Sequence, residues 1–578
     1  MVEWLHMEKE LIQELKSLIE GDVDMSEEIL NSRSTDYSIF SVKPQVVVFP
    51  KHSKDIQELV HWVDVKRQMG GYSDLSLTVR AAGTCMSGGS LNESIIVDTT
   101  KYMSGILEIV KKDYGFQYNP ITKHSFPVVG HVKVLPGTPY KILEQELEKY
   151  SMVMPCFPAS KNLCAVGGMV GNNGAGEKSL KYGQNKDFVL ELKAVFSDGN
   201  EYHVKPISKT ELDAKMIEDT FEGRLYRSVW NLIQRNRNEI KEAKPKTTKN
   251  SSGYLIWNVW DEETQTFDLT KMIVGAQGTT AIITEITYKV VPIETFSNLL
   301  VLFADSSERL PKIVENLSGF DIETMEVYDK HTFKFAVRFF KDFLKDKGIL
   351  GILKYAFNFI PEIWMSLTGG IPEYVVLIEF VSNDRKEIEG EAIRAQKALG
   401  FLKLPSRILT TEKEIEKYWN IRRDSFKLLS DHSKKLRTAP FIDDCVIPVV
   451  HYPAYMKELT ELLDSRKLLY TVAGHLGNGN LHVIPLMDFQ NPETQKIIFE
   501  LSEKVYTIVK KYEGSITAEH NDGIIRTPYL PYMFGDHMVS VFQELKDIFD
   551  MRNIFNPKKK VGGTVEDIQN WIIKPRQK

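Results

Sequence analysis

Residues Pro158 to Gly176 read PASKNLCAVGGMVGNNGAG. Gly167, Gly168, Gly171, Gly174 and Gly176 are interspersed with apolar Val166, Met169 and Val170 and with polar Ser160, Asn162, Asn172 and Asn173. Glycine lets backbone amides approach a ligand closely and tolerates positive φ. Successive amides exposed in this way form a concavity suited to an anion. The alternative is an irregular surface loop, because glycine-rich loops are common.

A second stretch bears on that choice. Leu77 to Ser90 reads LTVRAAGTCMSGGS and runs into the apolar Ile95, Ile96 and Val97, then Asp98. This predicts a short strand, a glycine-containing turn with Arg80, Thr84 and Ser87, and another strand. Neither GxGxxG with its distant acidic residue nor GxxxxGK[ST] is present. Two separate loops of this kind, each bounded by β runs, suggest one large anionic cofactor gripped from two sides.

These loops, with Tyr182 and Gly183 and with Gly275 to Thr279 (GAQGT), resemble the FAD-binding domain of the vanillyl-alcohol-oxidase/PCMH flavoproteins. Within that superfamily the chain is most similar to the D-lactate dehydrogenase/glycolate oxidase-type 2-hydroxyacid dehydrogenases. The resemblance runs in the family's motif order from about residue 35 to the C-terminus. It implies an α+β protein: a two-subdomain PCMH-type FAD-binding domain and an α+β cap (substrate) domain with an antiparallel sheet. It also implies that FAD is held by Arg80, Ala82, Gly83, Thr84, Ser87 and Gly88 of the first loop. From the glycine-rich stretch it adds Pro158, Ser160, Val166, Gly167, Gly168, Gly171, Asn172, Asn173, Gly174 and Gly176. Beyond these it marks Tyr182, Gly278 and Ile283. The family usually has Glu where Gln277 stands, which removes a charge and leaves the backbone role. Some superfamily members attach FAD through a histidine in the first loop, and this loop has none. Cys85 and Cys164 read as small packing residues, so FAD is expected to be non-covalent.

Composition sets the bounds. A chain of 578 residues allows several compact units. A formal net charge of −5 gives no electrostatic case for nucleic acid. Cys85, Cys156, Cys164 and Cys445 form no CxxC pair, so no iron–sulfur or zinc ribbon is readable. They read as reduced thiols of a cytoplasmic protein. The N-terminus lacks a basic n-region and an apolar h-region, so no signal peptide is expected. Leu11, Leu15, Leu18 and Ile19 instead predict an amphipathic helix.

The chain then divides into an N-terminal helical segment (1–38), the FAD-binding domain (39–292), the cap (293–515) and a C-terminal segment that returns to the FAD domain (516–578). Strands are expected at 42–50, 128–136, 188–196, 202–204 and 296–303, and helices at 55–68, 140–150, 211–241 and 385–399. Asp550 to Pro557 and Lys558 to Lys560 resemble the family's closing motif, and Lys249 to Tyr254 resembles an element near the flavin. Within the cap, Phe333 to Leu367 is aromatic-rich with lysines at intervals. Lys354, Pro361 and Glu362 interrupt any span long enough to cross a bilayer. The segment reads either as a helical pair packed on the cap or as an amphipathic stretch lying on the membrane surface.

The chemistry is carried by Tyr470 to Leu486, YTVAGHLGNGNLHVIPL. Two β runs flank Gly477 to Asn480, a sequence suited to a hairpin turn. The hairpin folds His475 and His482 back toward each other. Two imidazoles plus a carboxylate suit divalent zinc, manganese or iron, while the plainer reading is a pair of hydrogen-bonded core histidines. The stretch resembles the family's HxGxGNxH motif, with Asn478 where the motif commonly has Asp. By the same resemblance Glu519 is the third metal ligand and His520 the general base, with Asn521 replacing the family's Gly. Asn tolerates the left-handed region better than most residues. Arg526 and Tyr529 continue the pattern. Arg422, in Trp419 to Arg422, resembles the arginine that grips the substrate carboxylate through its guanidinium fork. Phe426 falls where members that take a second carboxylate have Thr, while Arg437 replaces their Lys.

The resemblance therefore implies an FAD-dependent dehydrogenase that oxidises a D-lactate-like 2-hydroxy acid, with a small or apolar side chain, to the 2-oxo acid. Reoxidation calls for a separate acceptor: a quinone, a cytochrome or an electron-transfer protein. A peripheral contact with the inner face of the membrane stays open through Phe333 to Leu367. Two other readings remain: an alcohol oxidase of the same fold, and a flavoprotein subunit that only relays electrons.

Overall fold

The computed structural model describes residues 2–70, 72–119, 123–332, 372–431 and 436–574. The stretch Phe333 to Leu367 lies outside the described residues, as does the side chain of Phe426.

The first sheet contains β1 (Asp22–Asp24), β2 (Val46–Phe49), β3 (Leu77–Arg80) and β4 (Ile95–Asp98), in the order β1-β2-β4-β3. The last three run parallel, and β1 is antiparallel to β2. Parallel strands covered on both faces read as continuous apolar runs, which accounts for VVVF and IIVD. Val46, Val48, Ile95 and Val97 pack with Leu15 of α1 (Val2–Leu18) and with Ile56, Leu59, Val60 and Val63 of α2 (Ser53–Met69). Val47, Phe49 and Ile96 pack with Leu30 on the other side. The loop of residues 81–90 leaves the carboxyl end of β3, the edge where parallel sheets place ligand loops.

A second, antiparallel sheet follows: β5 (Ile106–Lys111), β6 (Gly130–Val134), β7 (Val189–Val195), β8 (Glu201–Val204) and β9 (Ile282–Pro292), ordered β8-β7-β9-β6-β5. Met152–Val153 also pairs with β9. The β7–β8 hairpin turns where Ser197 to Asn200 predicts it. The single helix expected over 211–241 is divided into Lys209–Met216, Phe221–Arg235 and Arg237–Ala243. The Thr220 side chain caps the second of these by accepting from Gly223 N, a strong helix-start signal.

The glycine-rich stretch is not loop throughout. Val166–Asn172 forms a short helix, α3, that ends in left-handed Asn173 at φ 51°. Val166, Met169 and Val170 have helical spacing and pack into the core, while Gly167, Gly168 and Gly171 share the opposite face.

The cap is built on an antiparallel sheet of β10 (Phe296–Ala304), β11 (Thr324–Asp329), β12 (Tyr374–Ser382), β13 (Ser406–Leu409), β14 (Arg437–Thr438), β15 (Leu469–His475) and β16 (Asn480–Met487). The order is β13-β10-β12-β11-β15-β16-β14, with Cys445–Val446 pairing on β16. Ile415, Tyr418, Trp419 and Ile421 of α4 (Glu412–Asp431) cover one face against Leu299, Val301, Tyr328 and Leu377. The other face has a separate core with Tyr455, Leu459, Leu501 and Val505.

The C-terminal segment packs back on the first two sheets. Met538, Val541, Phe542, Leu545 and Phe549 of α5 (Leu530–Phe549) enter the core of the second sheet. Phe555 bridges to Leu77, and Asn556 Nδ2 donates to the carbonyls of Gly89 and Gln277. Lys559 and Lys560 are buried: Lys559 donates to Leu91 O, and Lys560 to Ser251 O and Asp522. The cap is fastened to the cradle side by ion pairs. Lys178 Nζ lies 2.8 Å from Glu323, and Arg423 Nη2 lies 2.6 Å from Glu177. Among the described residues no helix is long and apolar enough to cross a membrane.

Candidate active site

The β15–β16 hairpin places Ala473 opposite His482 and His475 opposite Asn480. Cross-strand partners and residues two apart share a face, so His475 and His482 are diagonal neighbours on one side. The turn closes at Gly479, with φ 71°. A Cβ there would lie 2.0 Å from Ile447 O, so the position admits only glycine.

His475 Nε2 and His482 Nε2 are 3.4 Å apart. Glu519 Oε1 lies 3.3 Å from the first and 3.5 Å from the second. An edge of about 3.4 Å belongs to a tetrahedron whose corners are about 2.1 Å from its centre, the bond length of zinc to nitrogen and oxygen. The donor set therefore fits a divalent cation. Each ring turns its other nitrogen toward a carboxylate: His475 Nδ1 lies 2.5 Å from Glu326 Oε1, and His482 Nδ1 lies 3.2 Å from Asp443 Oδ1. Such partners keep the proton on Nδ1 and leave Nε2 free as the ligand atom.

The electrostatics agree. Burial favours a neutral Glu519, but Lys249 and His475 outweigh it and hold the carboxyl well below the usual range. Burial also favours a neutral His482 ring, yet Asp443 and Glu519 raise it to about 10. Without a cation, this cluster holds protons tightly.

His520 stands next to the trio, its ring stacked on His482 with centroids 5.0 Å apart. Its Nδ1 lies 2.9 Å from Asp443 Oδ2, an ion-pair contact without an aligned hydrogen bond, so one carboxylate faces both rings. Burial lowers the His520 pKa, but Asp444 and Asp443 raise it overall. Burial would raise the Asp443 carboxyl, while His520 and His482 hold it below the usual range.

Ligand atoms of Asp444, His482, Glu519 and His520 also lie within 4.8 Å of one another. Asp444 is nevertheless committed elsewhere. Its Oδ2 accepts from Thr517 Oγ1 and from the amides of Ala518, Glu519 and His520, and its Oδ1 from Asn480 Nδ2. Asp444 fixes the loop that presents Glu519 and His520, and His475 completes the better donor set. Asn521 takes φ 69° and donates through Nδ2 to Asn172 O and Gly275 O. The replacement of the family's Gly thus keeps the turn and ties it to the cradle.

Arg422 and Arg423 both line the same cavity. Arg422 contacts Glu326 Oε2 through Nε at 3.0 Å and Nη2 at 2.9 Å. Glu326 thus joins Arg422 to His475. Arg423 grips Glu177 through Nε and Nη2 and lies over the Trp419 ring at 4.7 Å.

The cavity measures about 350 Å³. Ala82, Gly83, Thr84, Pro158, Ser160, Gly167, Gly168, Gly171, Asn172, Gly174, Gly278 and Ile283 line it, together with His475, His482, Glu519, His520 and Arg422. Its cradle walls are mostly glycine, alanine and small hydroxyls, which fits a flat, extended anionic group such as FAD.

Seven residues expected at the cofactor do not line the cavity, and each has a structural position instead. Arg80 lies beneath the first loop, where a Cβ on Gly83 would come within 2.1 Å of it. It donates to Thr35 O, and its buried Nη1 has no hydrogen-bond partner among the described residues. Ser87 donates to His520 O. Gly88 takes φ 81° against Phe40 and Ile524. Val166 and Tyr182 are core residues. The Asn173 side chain bonds Asn250 O and Lys186 N. Gly176 passes so close to Phe157 O that a Cβ would lie 2.2 Å away.

Sequence reasoning missed Asp443, Asp444, Glu326 and the partner role of Lys249. Asp443 and Asp444 interrupt the apolar run FIDDCVIP, and Glu326 interrupts TMEVYD. Charges inside apolar strands are the available signal, because they are buried only with partners. Gln277 links three segments: its Nε2 donates to Asn172 Oδ1 and Ser87 Oγ, and its Oε1 accepts from Gly523 N.

Residues 44–205 match the FAD binding domain family, and residues 293–560 match the C-terminal domain of FAD linked oxidases. A D-2-hydroxyglutarate dehydrogenase of Pantoea ananatis is 27% identical over 556 residues, covering 93% of this chain and 50% of that protein. The chain thus spans about half the length of the first curated relatives it matches. A D-lactate dehydrogenase of Archaeoglobus fulgidus is 23% identical over 520 residues, covering 89% of this chain and 91% of that protein. The solved 4-ethylphenol oxidase of Gulosibacter chungangensis shares the fold with a TM-score of 0.64 at 14% identity, over 96% of this chain and 97% of that one. One family match takes in the glycine-rich cradle and the other the histidine hairpin, so the chain joins an FAD binding domain to the C-terminal domain of FAD linked oxidases.

Proposed function

We propose that this protein is an FAD-dependent dehydrogenase that oxidises a D-2-hydroxy acid to the 2-oxo acid. The observation that carries the reading is the meeting of His475, His482, Glu519, His520 and Arg422 in the cavity that also contains the cradle. A relay subunit needs no base and no carboxylate grip beside its cofactor.

FAD, when bound, supplies the two-electron acceptor for the C2 hydride, and a divalent cation on the trio supplies positive charge beside the hydroxyl. The residues provide the rest. Arg422 binds the substrate carboxylate through its guanidinium. Glu326 holds Arg422 and His475 in fixed relation, so carboxylate binding and hydroxyl placement share one support. His520, whose Nδ1 lies 2.9 Å from the Asp443 carboxylate, takes the hydroxyl proton at Nε2. Thr471, Ala473 and Ile484 line the cavity along the same hairpin and are uncharged. That supports a small or apolar side chain over a second carboxylate.

FAD is held without a covalent bond. Burial pushes the Cys164 thiol up to about 12 and raises Cys85 as well, so neither offers a thiolate. The four described cysteines are free and buried, which suits a reducing, cytoplasmic setting. Electrons leave to a separate acceptor.

The test is His520→Gln. The variant keeps its flavin, and its rate of flavin reduction by the best D-2-hydroxy acid falls by about 10²–10⁴. Unchanged reduction would remove His520 from the chemistry.

A further inference from the structure

Lys249 is wholly buried, and its Nζ lies 2.8 Å from Glu519 Oε2. The other oxygen, Oε1, is the one that faces both histidine Nε2 atoms. The lysine is held in place by its neighbours. Asn250 N donates to Gln184 Oε1, and Ser251 N donates to Thr517 O in the loop that carries Glu519. Thr247 Oγ1 donates to the Lys249 carbonyl. A carboxylate binds cations through one oxygen or both, and here one oxygen already has a cation on it.

We propose that Lys249 is a positioning residue that occupies one oxygen of Glu519, so that a divalent cation binds this carboxylate through Oε1 alone and against a fixed neighbouring charge. The proposal rests on the reading of His475, His482 and Glu519 as a cation site. The Lys249 Nζ against Oε2 pairs the buried Glu519 carboxylate whether or not a cation is bound, so the empty site keeps its shape. Without Lys249 the same carboxylate loses its fixed neighbouring charge and attracts an entering cation more strongly.

The experiment uses FAD-loaded enzyme stripped with a chelator, and measures Zn²⁺ affinity by competition with a chromophoric chelator. Lys249→Met is expected to bind Zn²⁺ about tenfold tighter than wild type or better. Lys249→Arg, which keeps the charge, is expected to stay within about threefold of wild type. The stripped wild type keeps its fold, whereas stripped Lys249→Met loses thermal stability that Zn²⁺ restores. Zn²⁺ affinity in Lys249→Met that is equal to or weaker than wild type overturns the proposal. If Lys249→Met does not fold, the wild type decides: unfolding on removal of the cation overturns the proposal, and a folded stripped protein upholds it. Wild type that binds no Zn²⁺ overturns the cation site and this proposal together. Wild type that binds Zn²⁺ while Lys249→Met binds it equally overturns this proposal alone.

Discussion

Asp443 Oδ2 lies 2.9 Å from His520 Nδ1, while the second oxygen of the same carboxylate faces His482 at 3.2 Å. One buried carboxylate thus lies against both a proposed base and a proposed ligand. Asp443→Asn would remove the negative charge that both rings face. Steady-state kinetics of the variant should show kcat/KM down by about 10²–10⁴, with flavin content unchanged.

The pH profile follows from the same contact. Asp444 and Asp443 raise the His520 pKa against the effect of burial. A base must be neutral to accept a proton, so the rate rises with pH through that raised pKa. Removing the Asp443 charge should move this rising limb to lower pH. Flavin-reduction rates measured across pH for wild type and Asp443→Asn check the shift; a limb that stays in place would separate His520 from the titration.

Gly479 closes the histidine hairpin at positive φ and within 2.0 Å of Ile447 O, measured from where a Cβ would sit. Gly479→Ala must displace the turn and with it His475 and His482. Metal analysis should show cation content reduced by about tenfold or more, as expected for a site whose supporting geometry is lost. The absorbance of bound flavin should be retained, since Gly479 does not line the cavity.

The hairpin was legible because its turn residues and its apolar alternation are local signals. Apolar runs likewise marked the strands at Val46 and Ile95, and resemblance to the family's closing motif marked the segment near Phe555. The histidines carried their own spacing. Asp443, Glu326 and Lys249 were not legible as partners, because each reaches the site from a different strand or loop. Only the tertiary fold pairs Lys249 with Glu519, 270 residues away. The cradle shows the opposite case. Val166, Met169 and Val170 had the spacing of one helical turn, but five glycines in 19 residues outweighed it in a loop reading.

Glu323 joins the cap to the cradle through Lys178 at 2.8 Å and Lys181 at 3.6 Å. Burial would raise its pKa, but the two lysines lower it overall. A depressed folded pKa gives stability that is complete above the unfolded value and lost as pH falls through the folded one. Glu323→Gln should therefore cost about 3 kcal/mol near neutral pH and flatten the acid side of the stability profile. Thermal unfolding followed from neutral pH down to about pH 2 checks both; a variant with the wild-type acid profile would show that this pair does not govern it.

The most direct measurement is an anaerobic visible spectrum of the purified, metal-analysed protein, recorded while D- and L-2-hydroxy acids are added one at a time. The prediction is that one D-acid with a small or apolar side chain bleaches the oxidised flavin, that chelation abolishes the bleaching, and that a divalent cation restores it. A metal-loaded flavoprotein that no hydroxy acid bleaches would contradict the dehydrogenase account and favour an alcohol oxidase or a relay subunit.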